Sequence, residues 1–528
     1  MHKPNSGIMR RELPLAVATG ILIAFAMPPF PTGFLAYFAL IPFFYLLENK
    51  RIWEAFRWGY VTGLCVYFTS LFWIGWVTLP GLIGVLLVMP LYLALYAVLH
   101  VVFVRQLSSF AYLVVPFLWT AVEYLQSFAE TAFPWIYLGY TQTYYLAFIQ
   151  WAEYGAVYGI TLWVVTLNVL FYYLIRFAST PASRRGIVIS LLLCVLVPAV
   201  HGMRTLRTGA DDRSIKVAMI QGNIDPFAKW QKGTVESQFE QYQTMTREAI
   251  DSEPDLVIWP ETAVPFFLRY EPDYIDKIRN LVDSARVPLL TGMLDFEYDV
   301  DGASRHFNAA ALFEPYNGAI QRYAKMQLVP FSERVPYRQF APIAAFKDFL
   351  KRLNLGVGDF SRGGDYKVFT FKPRQVYIEE AGTGREGVRG LIHLAVPICY
   401  ESVFPAINRR FIERGANLLA VITNDAWFGK TTAPYQHARI AVFRAIENRV
   451  AIARCANTGI TCFIDRFGRL SNASPLFEQA IVCGEVALRT KETFYTRHGD
   501  WLAIAALVVT LAAVPVAVAR ALQNRESI

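Results

Sequence analysis

The sequence has few charged residues and few cysteines for its length. Charged residues make up 17% of the 528 positions, whereas hydrophobic residues make up 55%. Soluble domains carry about 25% charged residues, so the composition argues against a wholly soluble protein. Six cysteines without a CxxC pair give no disulfide framework. The sequence has neither an HExxH motif nor a carboxylate run with calcium-loop spacing, so we expect no metal and no cofactor.

Charge-free apolar blocks account for the excess of hydrophobic residues. Six of them are close to the roughly 17–25 residues that a bilayer core requires, namely Leu13–Phe30, Gly33–Leu47, Gln106–Val122, Gly155–Ile175, Gly186–Met203 and Trp501–Ala519. The charge-free stretch Trp58–Val104 is about twice the length of one span and predicts two helices that turn at Thr78–Gly81. We therefore predict eight transmembrane helices. The alternative, a soluble protein with long buried helices, is disfavoured by so many consecutive blocks.

Lysine and arginine collect in alternate loops between these blocks. Loops of this kind resist translocation and are predicted to be cytoplasmic; they contain Lys3, Arg10, Arg11, Lys50, Arg51, Arg57, Arg105, Arg176, Arg184, Arg185, Arg520 and Arg525. The pattern predicts a membrane domain over 1–207 with helices one to seven, an extracytoplasmic domain over 208–490, and helix eight with a cytoplasmic tail over 491–528. The net charge of +8 is predicted to reflect this topology and attraction to anionic lipid, with no nucleic-acid partner.

The predicted outer segment between Phe128 and Tyr154 is rich in aromatic residues. Such residues suit the level of the lipid headgroups, and we predict a partly inserted helix there. Glu123, Glu130 and Glu153 lie near the same side. Each is either a functional carboxylate or a side chain near a helix end that reaches water.

From about Ile215 to about Leu488, short β-rich apolar runs alternate with helix-like stretches. This alternation predicts a layered α/β domain. The loop Gly382–Gly387 matches the GxGxxG pattern, but it precedes a strand-like run and does not begin a helix. We therefore predict a surface loop there and not a dinucleotide site.

Three residues of this domain have the chemistry of acyl transfer. Cys399 follows the apolar run Leu391–Ile398, and a lone cysteine in that place is either core packing or a nucleophile. Glu261 follows a strand-like run, where partial burial would raise its pKa toward the range of a general base. Lys325 could stabilise the negative charge that develops on an attacked carbonyl oxygen. Singly, the glutamate and the lysine fit a solvated surface better than a site, because most Glu and Lys side chains are exposed, and His393 and His437 are predicted to be structural.

Together the three motifs are similar to those of the carbon–nitrogen hydrolase (nitrilase) superfamily. They are Trp259-Pro260-Glu261, Lys325 followed by Leu328–Glu333, and Pro397–Glu401. With seven predicted spans before the domain and one after it, the chain resembles the membrane-embedded apolipoprotein N-acyltransferase family along essentially its whole length. Ser332 departs from the glycine that the family often has before the glutamate.

The resemblance implies an α-β-β-α sandwich with Glu261 as base, Lys325 as oxyanion stabiliser and Cys399 as nucleophile. It implies supporting roles for Glu333, Tyr400 and Glu401, and substrate-binding roles for Trp230, Asn424 and Trp427. The implied reaction moves an acyl chain from a phospholipid, expected to be phosphatidylethanolamine, through a Cys399 thioester to the N-terminal amine of a diacylglyceryl apolipoprotein. The implied location is the bacterial inner membrane with the catalytic domain in the periplasm.

Two alternatives remain open. One is a membrane-tethered amidase or nitrilase that has the same triad and uses water as the acceptor. The other is a transporter or scaffold whose outer domain only binds, although the scarcity of charge inside the spans disfavours a path for polar solutes.

Overall fold

The chain divides into two compact units. A computed structural model describes residues 6–209, 213–226, 229, 233–299, 301–337, 339–340, 342–343, 358–383 and 390–526. The first unit comprises Met1–Gly75, Leu79–Thr208 and His498–Ile528, and the second comprises Trp76–Thr78 and Gly209–Arg497.

The first unit is built from helices. Their bounds are Ser6–Ala26, Ile41–Leu47, Ile52–Leu71, Ile74–Val77, Leu79–Leu107, Ala111–Leu125, Leu146–Ile149, Ala152–Arg176, Pro181–Thr205 and Trp501–Glu526. The break at Thr78 matches the turn predicted inside the long charge-free stretch, because one short helix ends at Val77 and the next begins at Leu79.

Within the part of the chain that the structure describes, four helical stretches are long and apolar enough to cross a membrane. They are Leu79–Leu125, Ala152–Arg176, Pro181–Thr205 and Trp501–Asn524, and the first contains two helices joined by the turn Ser108–Phe110. The apolar stretches Glu12–Ala26 and Gly33–Leu47 are shorter. The structure thus supports a membrane protein, whereas the predicted count of eight spans is not confirmed by helix length and apolarity.

The aromatic outer segment is not one continuous helix. It contains the 3-10 turn Leu138–Gln142 and the single helical turn Leu146–Ile149, and most of its side chains from Ala132 to Thr143 are buried within the first unit. The prediction of a helix in this segment was therefore wrong. Its aromatic side chains pack against one another, as the stacked rings of Tyr137 and Tyr140 do.

Glu123 does not reach water, so the alternative that it is a side chain near a helix end in contact with solvent was wrong. Its side chain is buried and accepts hydrogen bonds from Trp119 Nε1 at 2.8 Å, Leu138 N at 2.8 Å and Thr161 Oγ1 at 2.6 Å. These three donors satisfy the carboxylate inside the helical unit, and two of them come from other segments. Glu123 thereby links its helix to the aromatic segment.

The described residues of the second unit form two β-sheets. Its strands are β1 Ser214–Gln221, β2 Leu256–Ile258, β3 Val264–Phe267, β4 Leu289–Tyr298, β5 Ser304–Phe313, β6 Gln321–Ala324, β7 Val368–Phe371, β8 Ile392–Ala395, β9 Leu418–Thr423, β10 Ile452–Ala456, β11 Cys462–Ile464, β12 Leu470–Ser471 and β13 Ala480–Ala487. One sheet has the order β13-β1-β2-β4-β5-β6 with β3 paired to β4, and the other has the order β12-β11-β10-β9-β8-β7. The central neighbours β1, β2 and β4 are parallel, as are β8, β9 and β10.

Helices cover the outer faces of the two sheets. The helices of this unit are Val235–Ile250, Pro272–Ala285, Arg374–Thr383, Pro405–Glu413, Ala433–Asn448 and Phe494–His498. The first two pack on the first sheet, and Ala433–Asn448 packs on the second. Between the sheets, Cys455 Sγ of β10 lies 3.5 and 3.4 Å from the carbonyl oxygens of Ile220 and Ile258. This order of layers confirms the predicted α-β-β-α sandwich.

Burial explains why these segments adopt their structures. All six residues of β9 are buried, as expected for a parallel strand covered on both faces. The helix Val235–Ile250 buries Phe239, Tyr242, Met245 and Ala249 on one face, and the Tyr242 ring stacks on Trp259 with centroids 5.1 Å apart. In the predicted surface loop, Gly382 and Thr383 end a helix, whereas residues 384–387 lie outside the described residues.

Candidate active site

The ends of four strands bring the candidate residues together. Glu261 follows β2, Lys325 follows β6, Cys399 follows β8, and Asn424 follows β9. The chain leaves regular structure at each of these points, so a side chain can face a shared pocket while the strand behind it stays packed. Glu261, Lys325, Cys399 and Asn424 are all buried.

Lys325 lies between two carboxylates. Its Nζ is 3.2 Å from Glu261 Oε1 and 2.9 Å from Glu333 Oε1. Burial disfavours the charged ammonium, but Glu261 and Glu333 outweigh this effect and raise the pKa of Lys325 well above its usual value. Lys325 is therefore a fixed positive charge next to the candidate base.

Asn308 of β5 completes this polar cluster. Its Nδ2 donates to Glu261 Oε1 at 2.7 Å and to Glu333 Oε1 at 3.0 Å. The other oxygens of the two carboxylates accept backbone hydrogen bonds at 2.8 Å, Glu261 Oε2 from Asn424 N and Glu333 Oε2 from Val329 N. Every carboxylate oxygen of the pair thus has a donor, which fixes both side chains in one orientation.

Cys399 begins a 3-10 turn that runs to Val403 and has a φ of +50°. A non-glycine residue in this left-handed region is strained, and such strain concentrates at functional sites. Burial, followed by the charge of Glu261, raises the pKa of the Cys399 thiol, whereas Lys325 lowers it. The thiol at rest is therefore protonated, and it requires a base before it can attack a carbonyl.

Glu401 connects the loop of Cys399 with the loop of Lys325. Its Oε1 accepts from the Tyr323 hydroxyl at 2.7 Å, from Met326 N at 2.7 Å and from Gln327 N at 3.1 Å, and its Oε2 accepts from Ile398 N at 2.8 Å. Burial raises the pKa of Glu401, and the N–H groups oppose that rise. Glu401 thus ties the loop of Cys399, the candidate nucleophile, to the loop of Lys325.

The remaining predicted residues occupy different environments. Tyr400 is buried, and its ring packs edge-on against Phe404 with centroids 5.1 Å apart. Asn424 contributes its backbone N–H to Glu261, while its Oδ1 accepts from Asn457 Nδ2 at 3.1 Å.

Trp427, in the 3-10 turn Asp425–Phe428, is 37% exposed, which suits a residue that meets a substrate. Trp230 lies outside the described residues.

Sequence reasoning missed two polar residues near Glu261. Asn308 lies in the strand run Asn308–Phe313 among alanines, which gives no signal of a site. Lys229 is buried, and burial lowers its pKa to about 8 although Glu261 acts in the opposite direction. A basic residue beside the predicted substrate-binding Trp230 was the signal available for it. Within the described part of the chain, there is no group of three or more His, Cys, Asp or Glu side chains that could hold a metal ion.

Comparison with known proteins identifies the family. The family model for the apolipoprotein N-acyltransferase N-terminal domain matches residues 19–170, and the carbon-nitrogen hydrolase model matches residues 216–494. An apolipoprotein N-acyltransferase of Geobacter metallireducens is 37% identical over 96% of this chain and 95% of its own length. This chain belongs to the apolipoprotein N-acyltransferase family.

Other relatives of this family have similar coverage. The apolipoprotein N-acyltransferase of Chlorobaculum tepidum is 32% identical over 96% of this chain and 98% of its own. Among solved structures, a branch 10 nitrilase-superfamily protein of Saccharomyces cerevisiae aligns at 17% identity with 53% of this chain and 93% of its own, with a TM-score of 0.37. As a family member, the chain is an enzyme of the carbon–nitrogen hydrolase superfamily with a nitrilase-type α/β domain.

Proposed function

We propose that this chain is an apolipoprotein N-acyltransferase. It moves an acyl chain from phosphatidylethanolamine to the N-terminal amine of a diacylglyceryl apolipoprotein. The observation that carries the proposal is the buried cluster of Glu261, Lys325 and Glu333 beside a strained cysteine, in a chain whose relatives of equal length bear that name.

In the first half-reaction, Glu261 takes the proton of the Cys399 thiol. The thiolate attacks the ester carbonyl carbon of the phospholipid, and Lys325 stabilises the resulting oxyanion. Collapse of the tetrahedral intermediate breaks the ester C–O bond, and Glu261 returns its proton to the departing alkoxide. The products are a lysophospholipid and an acyl thioester on Cys399.

In the second half-reaction, the α-amine of the diacylglyceryl cysteine attacks the thioester. Glu261 accepts a proton from the amine and passes it to the departing Cys399 sulfur, so the amide forms and the thiol is restored. Lys325 remains protonated in both steps because the two carboxylates raise its pKa. Both half-reactions therefore use one base and one fixed cation.

A location in the membrane suits an enzyme whose substrates carry acyl chains. Exposing an acyl chain to water costs about 0.8 kcal/mol per methylene, so a nucleophile at the bilayer surface avoids extraction of the donor. We propose eight transmembrane helices in the bacterial inner membrane, with a cytoplasmic N-terminus and the catalytic domain over 208–490 in the periplasm. The charge pattern of the loops and the four long apolar helical stretches support this arrangement.

Intact-mass analysis of the Cys399 peptide tests the proposal. Purified protein incubated with phosphatidylethanolamine vesicles should gain the mass of one acyl chain on that peptide, and an apolipoprotein peptide with a free amine should remove it. Cys399→Ser serves as the matched control, and Glu261→Gln and Lys325→Ala should each form no adduct while still inserting into membranes. An unlabelled wild-type protein with accessible lipid would refute the mechanism, whereas rapid loss of the adduct to water would favour an amidase.

A further inference from the structure

A buried ionic cluster lies directly behind Cys399. Asp425, His437 and Arg454 are each 0% exposed. His437 Nδ1 is 2.9 Å from Asp425 Oδ1, and Arg454 Nη2 is 2.8 Å from Asp425 Oδ2. Burial alone would raise the pKa of Asp425, but Arg454 and His437 outweigh it and lower that pKa well below its usual range. Asp425 is therefore ionised and can only accept hydrogen bonds.

The opposite side of the His437 ring faces the backbone of the nucleophile. Its Nε2 is 3.1 Å from the carbonyl oxygen of Cys399 and 3.0 Å from Ser402 Oγ. Ser402 Oγ donates its own hydrogen to the same carbonyl at 2.7 Å. Since a carbonyl oxygen has no hydrogen to offer, the ring can hydrogen-bond it only through a hydrogen on Nε2.

The contact between His437 Nε2 and the Cys399 carbonyl restrains a residue with a strained backbone. Cys399 has a φ of +50°, and its carbonyl oxygen is fixed by donors from His437 and Ser402. In a planar trans peptide the C=O and the following N–H point in opposite directions. Fixing the carbonyl therefore fixes the Tyr400 N–H as well, together with the backbone that carries the thiol.

We propose that His437 is a positioning residue for the nucleophile, holding the Cys399 carbonyl through Nε2–H while Asp425 and Arg454 hold the imidazole. This inference rests on the proposed acyl transfer by Cys399. His437 touches neither of the acyl substrates in this scheme, and it acts only through the backbone of Cys399. Its loss should slow thioester formation without weakening donor binding.

The test compares His437→Ala with His437→Gln, because the glutamine amide can donate an N–H to the same carbonyl. Single-turnover acylation by phosphatidylethanolamine in vesicles is measured per folded molecule, over a range of lipid concentrations. We expect His437→Ala to slow acylation about 100-fold with an unchanged half-saturating lipid concentration, and His437→Gln to recover at least tenfold of that loss. His393→Gln, a change of the same kind at the other predicted structural histidine, should acylate at the wild-type rate.

A merely structural role would reduce the yield of folded protein and leave the acylation rate per folded molecule within twofold of wild type, which would overturn the proposal. If His437→Ala does not fold, His437→Gln and Ser402→Ala provide the test. Wild-type acylation rates in both variants would overturn the proposal, and slower acylation in Ser402→Ala would support it.

Alkylation of Cys399 by iodoacetamide needs no lipid. If the wild type forms no acyl adduct, the proposed function fails, yet slower alkylation in His437→Ala would still support positioning, and equal alkylation would overturn it.

Discussion

Replacing Gly292 with alanine should misplace Glu261, the proposed catalytic base, without altering any charged group. Gly292 lies in β4, and a Cβ added there would be 2.5 Å from Thr262 N, 2.6 Å from Pro260 O and 2.7 Å from Glu261 Cα. The shortest of these is about 0.9 Å below the 3.4 Å of an ordinary contact. All three neighbours are backbone atoms, so a side-chain rotation cannot relieve the collision.

The segment that carries Glu261 must therefore move by several tenths of an ångström. Catalytic groups need to be held within about 0.5 Å of their productive geometry, and a misplacement of about 1 Å can cost 100-fold in rate. We expect Gly292→Ala to slow Cys399 acylation by roughly 100-fold. Overpacking should also lower the free energy of unfolding by about 1–3 kcal/mol.

The assay is single-turnover acylation with phosphatidylethanolamine vesicles, followed by the intact mass of the Cys399 peptide. Gly318→Ala is the matched control, because a Cβ at that exposed loop position meets nothing within 4 Å. An acylation rate in Gly292→Ala within threefold of wild type would show that the position of Glu261 does not limit the reaction, and the reasoning would fail.

Three further results are expected. Asn308→Ala removes two hydrogen bonds to carboxylates, each worth about 1.5–3 kcal/mol, and should slow acylation at least tenfold, whereas Asn317→Ala on an exposed turn should not. Because burial raises the pKa of Cys399, wild-type alkylation by iodoacetamide should keep rising between about pH 7 and 9, and a plateau below pH 8 would contradict the protonated resting thiol. Glu261→Gln removes a charge that raises this pKa, so it should alkylate faster than wild type yet form no acyl adduct; equal or slower alkylation would argue against the assigned charge effect.

The secondary structure of the second unit was predictable because its strands are short and apolar. Runs such as Leu289–Met293 and Leu418–Ile422 lie inside β4 and β9. The edge strand β13 has no comparable apolar run, because its burial is mixed, and it forms through pairing with β1, which lies more than 250 positions earlier. Long-range pairing of this kind has no local signal.

The candidate site was predictable where a reactive side chain stands in a recognisable motif, and not where only the fold brings a side chain to the site. Glu261 and Cys399 follow the mostly apolar strands β2 and β8, where a polar residue is conspicuous, whereas Lys325 follows the polar strand β6 and was found through its motif. Asn308 has no such context, and its role emerges only when two carboxylates converge on its amide. His437 was predicted to be structural, and its contact with the Cys399 carbonyl depends on a helix packing behind a turn that lies 38 positions earlier.

The burial of Cys399 also affects its resistance to oxidation. Peroxides and disulfides react with thiolates, and a thiol whose pKa is raised by burial offers them little of that form. Cys455 and Cys462 are buried too, and burial likewise raises their pKa. Burial can therefore slow the oxidation of Cys399 without a partner cysteine, because little of the thiol is in the form that oxidants attack.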